Sequence, residues 1–174
     1  MVYIFFITAI FLRCISLFIS ITNEKQLKRA GAREYGKFNS IMLATTHILF
    51  YFCAFFEAVI KSVTIDNITF IGIAFYVFSI GILVIVIYEL KGLWTIKLLI
   101  AKKHPINVSP LFKYFRHPNY FLNVIPELIG IVLICKAWFS AGFILPVYMF
   151  FLIMRIIQEE KAMAVLRRGL NPKL

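Results

Sequence analysis

Five apolar runs, Val2–Ile21, Ser40–Ile60, Ile68–Tyr88, Asn119–Cys135 and Trp138–Met154, take up more than half of the 174 residues. A hydrocarbon core about 30 Å thick is crossed by roughly 20 helical residues, and an open chain in lipid satisfies its backbone only as helix. The pattern therefore predicts an all-α integral membrane protein with about five transmembrane helices. The last two runs are short and separated only by Lys136 and Ala137, which predicts a C-terminal helical hairpin. Composition agrees, because 16% charged residues is well below the roughly 25% of a soluble domain. No basic stretch precedes Val2 and no small-residue cleavage site follows, so the first run is read as a retained span.

The cations set the expected orientation. Sixteen of the nineteen Lys and Arg residues fall in segments 22–39, 89–118 and 155–174; Lys61 and Lys136 lie on the opposite side and Arg13 inside a span. The positive-inside rule puts the N-terminus outside and the long loop and C-terminus in the cytoplasm. The net charge of +11 is then topological, with adhesion to anionic headgroups as a secondary role and no nucleic-acid partner. Cys14, Cys53 and Cys135 all fall in spans without paired spacing, which indicates neither a disulfide framework nor a metal site.

With no internal repeat, residues 1–174 read as a single membrane-embedded domain: a three-helix part, 1–88, then a loop, hairpin and tail, 89–174. Glu24 and Lys28 suit a short surface helix in the loop Thr22–Asn39, although a solvated interfacial turn is the expectation there. Thirty residues from Glu89 to Pro118 exceed what a connection requires. Their apolar and aromatic content, Trp94, Ile96, Leu98 to Ile100, Leu111, Phe112, Tyr114 and Phe115, argues for a folded cap rather than disorder.

Polar chemistry concentrates in Arg116-His117-Pro118-Asn119-Tyr120 and onward through Asn123 to Glu127. A helix starting near Pro118 would place Asn119, Tyr120, Asn123 and Glu127 along one side. Ionisable groups at membrane depth are costly and default to function; the competing reading is a polar seam that holds helices together. Counting residues inward puts Glu127, Arg13 and His47 each roughly 10–12 Å inside the same boundary. Arg13 is expected to pair with Glu127, with His47 near them, because an unpaired charge there is unfavourable. Glu57 falls near the outer end of its span and receives no role. Arg155 and Glu159, one turn apart, leave the last span at the level of His117.

From Leu93 to Lys161 the chain resembles the isoprenylcysteine carboxyl methyltransferase family of integral membrane enzymes that use S-adenosylmethionine. The matches are His104-Pro105-Ile106-Asn107, then Arg116-His117-Pro118-Asn119-Tyr120 twelve residues later, then Arg155 with Glu159-Glu160 after a hydrophobic hairpin. Asn23 to Leu27, Gly31-Ala32, Glu34, Gly36, His47 and Glu57 are similar to short bacterial members, some of which methylate hydroxyls of lipid-like polyketides. The resemblance implies a cofactor pocket lined by His104, Pro105, Ile106, Asn107, Phe112, His117, Pro118, Asn119 and Tyr120, with Lys97 as a weaker candidate. It implies that Glu159 contacts the cofactor and Arg155 the acceptor; Asn123 and Glu127, which the resemblance does not assign, either shape the acceptor cavity or hold Arg13 in the bundle. Arg155 and Glu159 are then the catalytic pair, and the loop 89–118 is a cytoplasmic cofactor-binding cap.

Methyl transfer from a sulfonium demands alignment and exclusion of water, and no metal. Aromatic faces such as Phe112 or Tyr120 would favour the sulfonium. A carboxylate acceptor would be oriented by Arg155, whereas a hydroxyl acceptor would use His117 or Glu159 as base. Two departures from the family pattern bear on the acceptor. Pro110-Leu111-Phe112 replaces a common Gly-x-Tyr, removing a phenol, and a short tail after Glu160 is expected to leave the acceptor side more open. The expectation is an O-methyltransferase acting on a carboxylate or hydroxyl of an amphipathic or lipidic acceptor in the bilayer. The alternatives are an NADPH-dependent membrane lipid reductase and a small transporter with Glu127 and His47 on a proton path.

Overall fold

A computed structural model describes residues 2–100 and 110–170. His104, Pro105, Ile106 and Asn107 lie outside the described residues. In chain order the elements are α1 (Val2–Arg29), β1 (Arg33–Tyr35), α2 (Lys37–Ile60), α3 (Asn67–Leu90), β2 (Leu98–Ile100), α4 (Pro110–Tyr114), α5 (Ile125–Cys135) and α6 (Trp138–Leu170). A π-helical stretch, Asn119–Val124, leads directly into α5. Four helical segments are long and apolar enough to cross a membrane: Tyr3–Arg29, Lys37–Ile60, Asn67–Leu93 and Trp138–Ala164. Asn119–Cys135 is a fifth, shorter apolar helix.

The expected interfacial turn after the first run is in fact two more turns of α1. Lys28 pairs with Glu24 one turn earlier (2.6 Å), and Asn23 donates its amide to the Trp94 carbonyl (2.8 Å), so tertiary contacts hold the helix where hydropathy ends. Gly31 then stops it with φ +82°: its N–H meets the Lys28 carbonyl and that of Ala32 the Leu27 carbonyl. This is a Schellman stop, for which glycine carries no Cβ penalty.

The turn delivers β1 to β2 as an antiparallel pair, with Arg33 opposite Ile100 and Tyr35 opposite Leu98. Leu98 and Ile100 also pack on Ala162 of α6. A short two-stranded patch thus ties the segment after α1 to the long loop at the basic end of the bundle.

Inside the bundle, α5 packs chiefly on α3 and α6 on α2, although α5 and α6 are joined by only Lys136 and Ala137. The α3–α5 crossing is close because Gly72 and Gly130 face each other. A Cβ on either would stand 2.8 Å from the other's carbonyl oxygen. Small residues at such crossings let backbones approach in lipid, where apolar side chains gain little from contact.

The end opposite the basic loops is held by acidic groups. Asp66 caps α3 in a reciprocal capping box with Thr69 and pairs with Lys136 (2.6 Å). Glu57, to which the sequence assigned no role, accepts the Phe139 N–H (3.1 Å), the Ser140 N–H (2.8 Å) and the Ser140 hydroxyl (2.7 Å). It satisfies the first, otherwise unpartnered amides of α6 and also pairs with Lys61.

Candidate functional site

Arg155 is the organising group. It sits on α6 at 3% exposure, in a bundle with an apolar core. Its guanidinium donates three ways: Nη1 to Ser40 Oγ (2.7 Å), Nη2 to the Ile96 carbonyl (2.8 Å) and Nε to the Tyr120 hydroxyl (3.2 Å). Every one of these acceptors is neutral, and among the described residues no carboxylate forms an ion pair with it. A buried cation held in place by neutral groups retains its attraction for an anion and its fork geometry for a planar carboxylate.

Each partner arrives by a different element. Ser40 comes from the first turn of α2, which Asn39 bolts to α6 by donating to the Phe151 carbonyl (3.1 Å) and the Gln158 side chain (3.4 Å). Ile96 comes from the loop, itself fixed to α1 by its N–H on Ser20 Oγ (2.9 Å). Tyr120 comes from the π-helical stretch. Such stretches carry one extra residue per turn and occur often at functional sites.

Tyr120 joins Arg155 to a second group. Its hydroxyl donates to Glu159 Oε2 (2.8 Å) while accepting from Arg155. The His117 ring stacks on Tyr120 at 5.8 Å between centroids and 21° between planes. Its Nδ1 lies 3.8 Å from Glu159 and its Nε2 3.5 Å from Glu160, ion-pair rather than hydrogen-bond distances. Both ring nitrogens are buried without a hydrogen-bond partner. The Glu159 carboxylate, and behind it Glu160, holds the His117 proton above the ordinary imidazole range, against the opposing effect of burial. The result is a phenol ring stacked on a proton-holding imidazole and backed by two carboxylates, whose negative charge and phenol face suit a cationic ligand.

Two turns deeper lies the second polar level. Glu127, fully buried, accepts from Arg13 Nε (2.6 Å) and from the Tyr51 hydroxyl, and its other oxygen pairs with Arg13 Nη2. His47 stacks on Tyr51 and stands 3.8 Å from Glu127. The pairing expected from equal depth is therefore present.

The remaining candidates are distributed as follows. Lys97 pairs with Glu24 (2.7 Å), as a strut between the loop and α1. Phe112 packs on Leu83, Val86 and Trp94. Pro118 is buried, and Asn119 accepts from Asn123 (3.0 Å), whose own oxygen is buried without a donor. Because residues 119–124 are π-helical, Asn119, Tyr120, Asn123 and Glu127 do not follow one α-helical face as expected. Tyr120 meets Arg155 and Glu159, Asn123 meets Asn119, and Glu127 meets Arg13. Ser40, Asn39, Gln158 and Tyr51 escaped the sequence reading. An isolated serine or amide at a span boundary carries no signal, whereas Tyr51, one turn after His47, could have been found by the same depth count.

Comparison with known proteins bears on the same region. The profile of the isoprenylcysteine carboxyl methyltransferase (ICMT) family matches residues 71–165, which include His117, Tyr120, Glu127, Arg155 and Glu159. An uncharacterised protein of Haemophilus influenzae is 50% identical over 153 residues, covering 88% of this chain and 89% of that one. The uncharacterised YpbQ of Bacillus subtilis is 26% identical over 152 residues, covering 87% and 89%. No solved structure matches at a significant level. With more than half of its length matched by the profile, the chain belongs to the ICMT family of membrane methyltransferases.

Proposed function

We propose that the protein is an S-adenosylmethionine-dependent O-methyltransferase that modifies a lipid-like acceptor at the cytoplasmic face of a membrane. The observation that carries the reading is Arg155, buried and fixed by three neutral acceptors, one phenol away from the His117, Tyr120 and Glu159 group.

The two halves of this site match the two halves of the reaction. The Tyr120 face and the Glu159 and Glu160 carboxylates suit a cationic cofactor, and the His117 ring nitrogens, buried without hydrogen-bond partners, suit the cofactor's acceptor groups. When bound there, S-adenosylmethionine supplies an electrophilic methyl on a sulfonium. Arg155 holds the acceptor's carboxylate through its planar fork, with Ser40 and the Ile96 carbonyl preventing rotation of the guanidinium. Tyr120 bonds to Arg155 and Glu159 at once, so a single phenol sets the spacing between acceptor and cofactor. A carboxylate needs no base, and the neutral acceptors that hold Arg155, with Glu159 reached through the Tyr120 hydroxyl, favour it over a hydroxyl. A hydroxyl acceptor would pass its proton to Glu159, since His117 holds its own more tightly than a free imidazole.

The concentration of cations at this end supports a cytoplasmic location for it under the positive-inside rule. The apolar tail of the acceptor remains in the bilayer.

Calorimetric titration of the purified protein with S-adenosylmethionine and with NADPH tests the reading. Saturable binding of the first, abolished in Glu159→Ala, is expected. Binding of NADPH alone, or of neither, would defeat it. Labelled methyl transfer into a lipid extract then identifies the acceptor.

A further inference from the structure

The deeper polar level holds more polar groups than the neutralisation of Arg13 requires. Three helices independently repeat one spacing: Ser40 to His47 on α2, Tyr120 to Glu127 entering α5, and Arg155 back to Tyr148 on α6 are each seven residues apart. That is two turns, or about 10 Å along the bundle. The Arg155 level and the Glu127 level are thus parallel polar layers, with Tyr148, 2% exposed, against His47 at 5.5 Å.

The deeper layer has unused hydrogen-bonding capacity. His47 Nε2 and the Tyr76 hydroxyl, which lies beside that of Tyr51, are buried without a well-formed hydrogen bond, and Tyr76 as a residue is 5% exposed. Buried polar atoms without partners are uncommon and invite a ligand group.

Tyr76 also forms part of the wall of an apolar groove between α1 and α3, about 240 Å³ in volume, with Phe5, Leu12 and Ile73. A second recess of about 220 Å³ shares Phe5, Thr8 and Ile73 and continues toward Val63 and Ile134. Thr8 donates its hydroxyl to the Ile4 carbonyl, so the groove offers hydrocarbon contact and little else. Leu12 marks its inner end, one residue before Arg13. From the basic end inward the order is Arg155, the layer of His47 and Glu127, then the apolar groove.

We propose that His47, Tyr51, Tyr76 and the Arg13–Glu127 pair form a second recognition point for the methyl acceptor. They read a hydroxyl or carbonyl carried about 10 Å along its chain from the group held by Arg155. The acceptor class is a long-chain acid with an oxygen in mid-chain, its tail lying in the α1–α3 groove. This deepens the methyltransferase reading and rests on it for the position of the acid group. A plain hydrocarbon chain would leave the His47 and Tyr76 polar atoms unpaired and be discriminated against.

The test uses two octadecanoic acids in detergent micelles, one unsubstituted and one with a hydroxyl roughly eight carbons from the carboxyl, a span of about 10 Å at standard bond lengths. The hydroxylated acid is expected to be favoured about tenfold in kcat/KM, the worth of one buried hydrogen bond. That ratio is expected to fall toward one in Tyr76→Phe, which removes a single oxygen, and in His47→Phe, which keeps the ring stack on Tyr51. Equal use of the two acids by the wild type, or the same ratio in both variants, overturns the proposal.

Thermal stabilisation by the corresponding methyl esters separates this inference from the methyl-transfer reading. A binding preference for the hydroxylated ester that is lost in Tyr76→Phe supports the second recognition point even if neither acid is methylated. Equal stabilisation by the two esters counts against it.

Discussion

Replacing Arg13 by leucine leaves the Glu127 carboxylate fully buried with, among the described residues, only the Tyr51 hydroxyl donating to it and His47 at 3.8 Å. Removing one member of a buried pair costs about 3–5 kcal/mol, because the remaining charge is uncompensated. For a chain of this size each kcal/mol moves the melting temperature by about 2–4 °C, so Arg13→Leu is expected to melt about 6–20 °C lower. Glu127→Gln is gentler. The amide keeps the volume and can still receive the Tyr51 hydroxyl, and the Arg13 side chain, 23% exposed, can snorkel along the span toward the basic boundary, for a loss of about 1–2 kcal/mol. The double variant Arg13→Leu/Glu127→Leu removes both charges and should return to within about 1 kcal/mol of the wild type. The measurement is reversible unfolding in mixed micelles, followed by tryptophan fluorescence and analysed as a double-mutant cycle. Glu127→Gln proving the more damaging single variant, or losses that simply add in the double variant, would show that Arg13 and Glu127 do not depend on each other for their burial.

Three further outcomes follow from the packing and the charges. Glu57→Ala strips three hydrogen bonds from the start of α6 and is expected to cost about 1–2 kcal/mol by the same unfolding assay, as loss of a helix cap does. Gly72→Ala drives a methyl to 2.8 Å from the Gly130 carbonyl and should cost about 1–3 kcal/mol, with little effect from Ala at Gly81, where a Cβ meets nothing. His117, whose pKa is raised by Glu159, contributes stability that is complete below its ordinary value near 6.5 and is lost as pH rises through the raised one. Melting curves between pH 6 and 9 should therefore show a decline that Glu159→Gln flattens; an unchanged slope in that variant removes Glu159 as the cause.

The parts of this molecule visible in its sequence are those governed by one long-range rule at a time. Lipid thickness makes runs such as Ser40–Ile60 and Ile68–Tyr88 unmistakable, and α2 and α3 contain them. Equal depth was enough to match Arg13 with Glu127, because the penalty for an unpaired charge admits few alternatives. The hidden parts depend on several contacts made together. The pairing of β1 with β2 joins two strands of three residues, too short for any alternation to show. The last turns of α1 form because Asn23 reaches Trp94, a contact across 71 positions that no local pattern encodes. Ser40 becomes informative only when α6 brings Arg155 against it. Glu57 looked like a surface carboxylate because the amides it caps belong to another helix.

The π-helical stretch from Asn119 to Val124 sets an angle as well as a length. Each residue of an α-helix advances the side chains by about 100°, so removing one position between Tyr120 and Glu127 would swing one against the other by that amount. Tyr120 faces α6 and Glu127 faces α1 because the backbone slips by one residue between them, closing with the Ile125 N–H on the Tyr120 carbonyl. The stretch is a phase setting between the two polar layers. Insertion or deletion of a single residue there would rotate one layer out of alignment with the other while leaving every side chain of both intact.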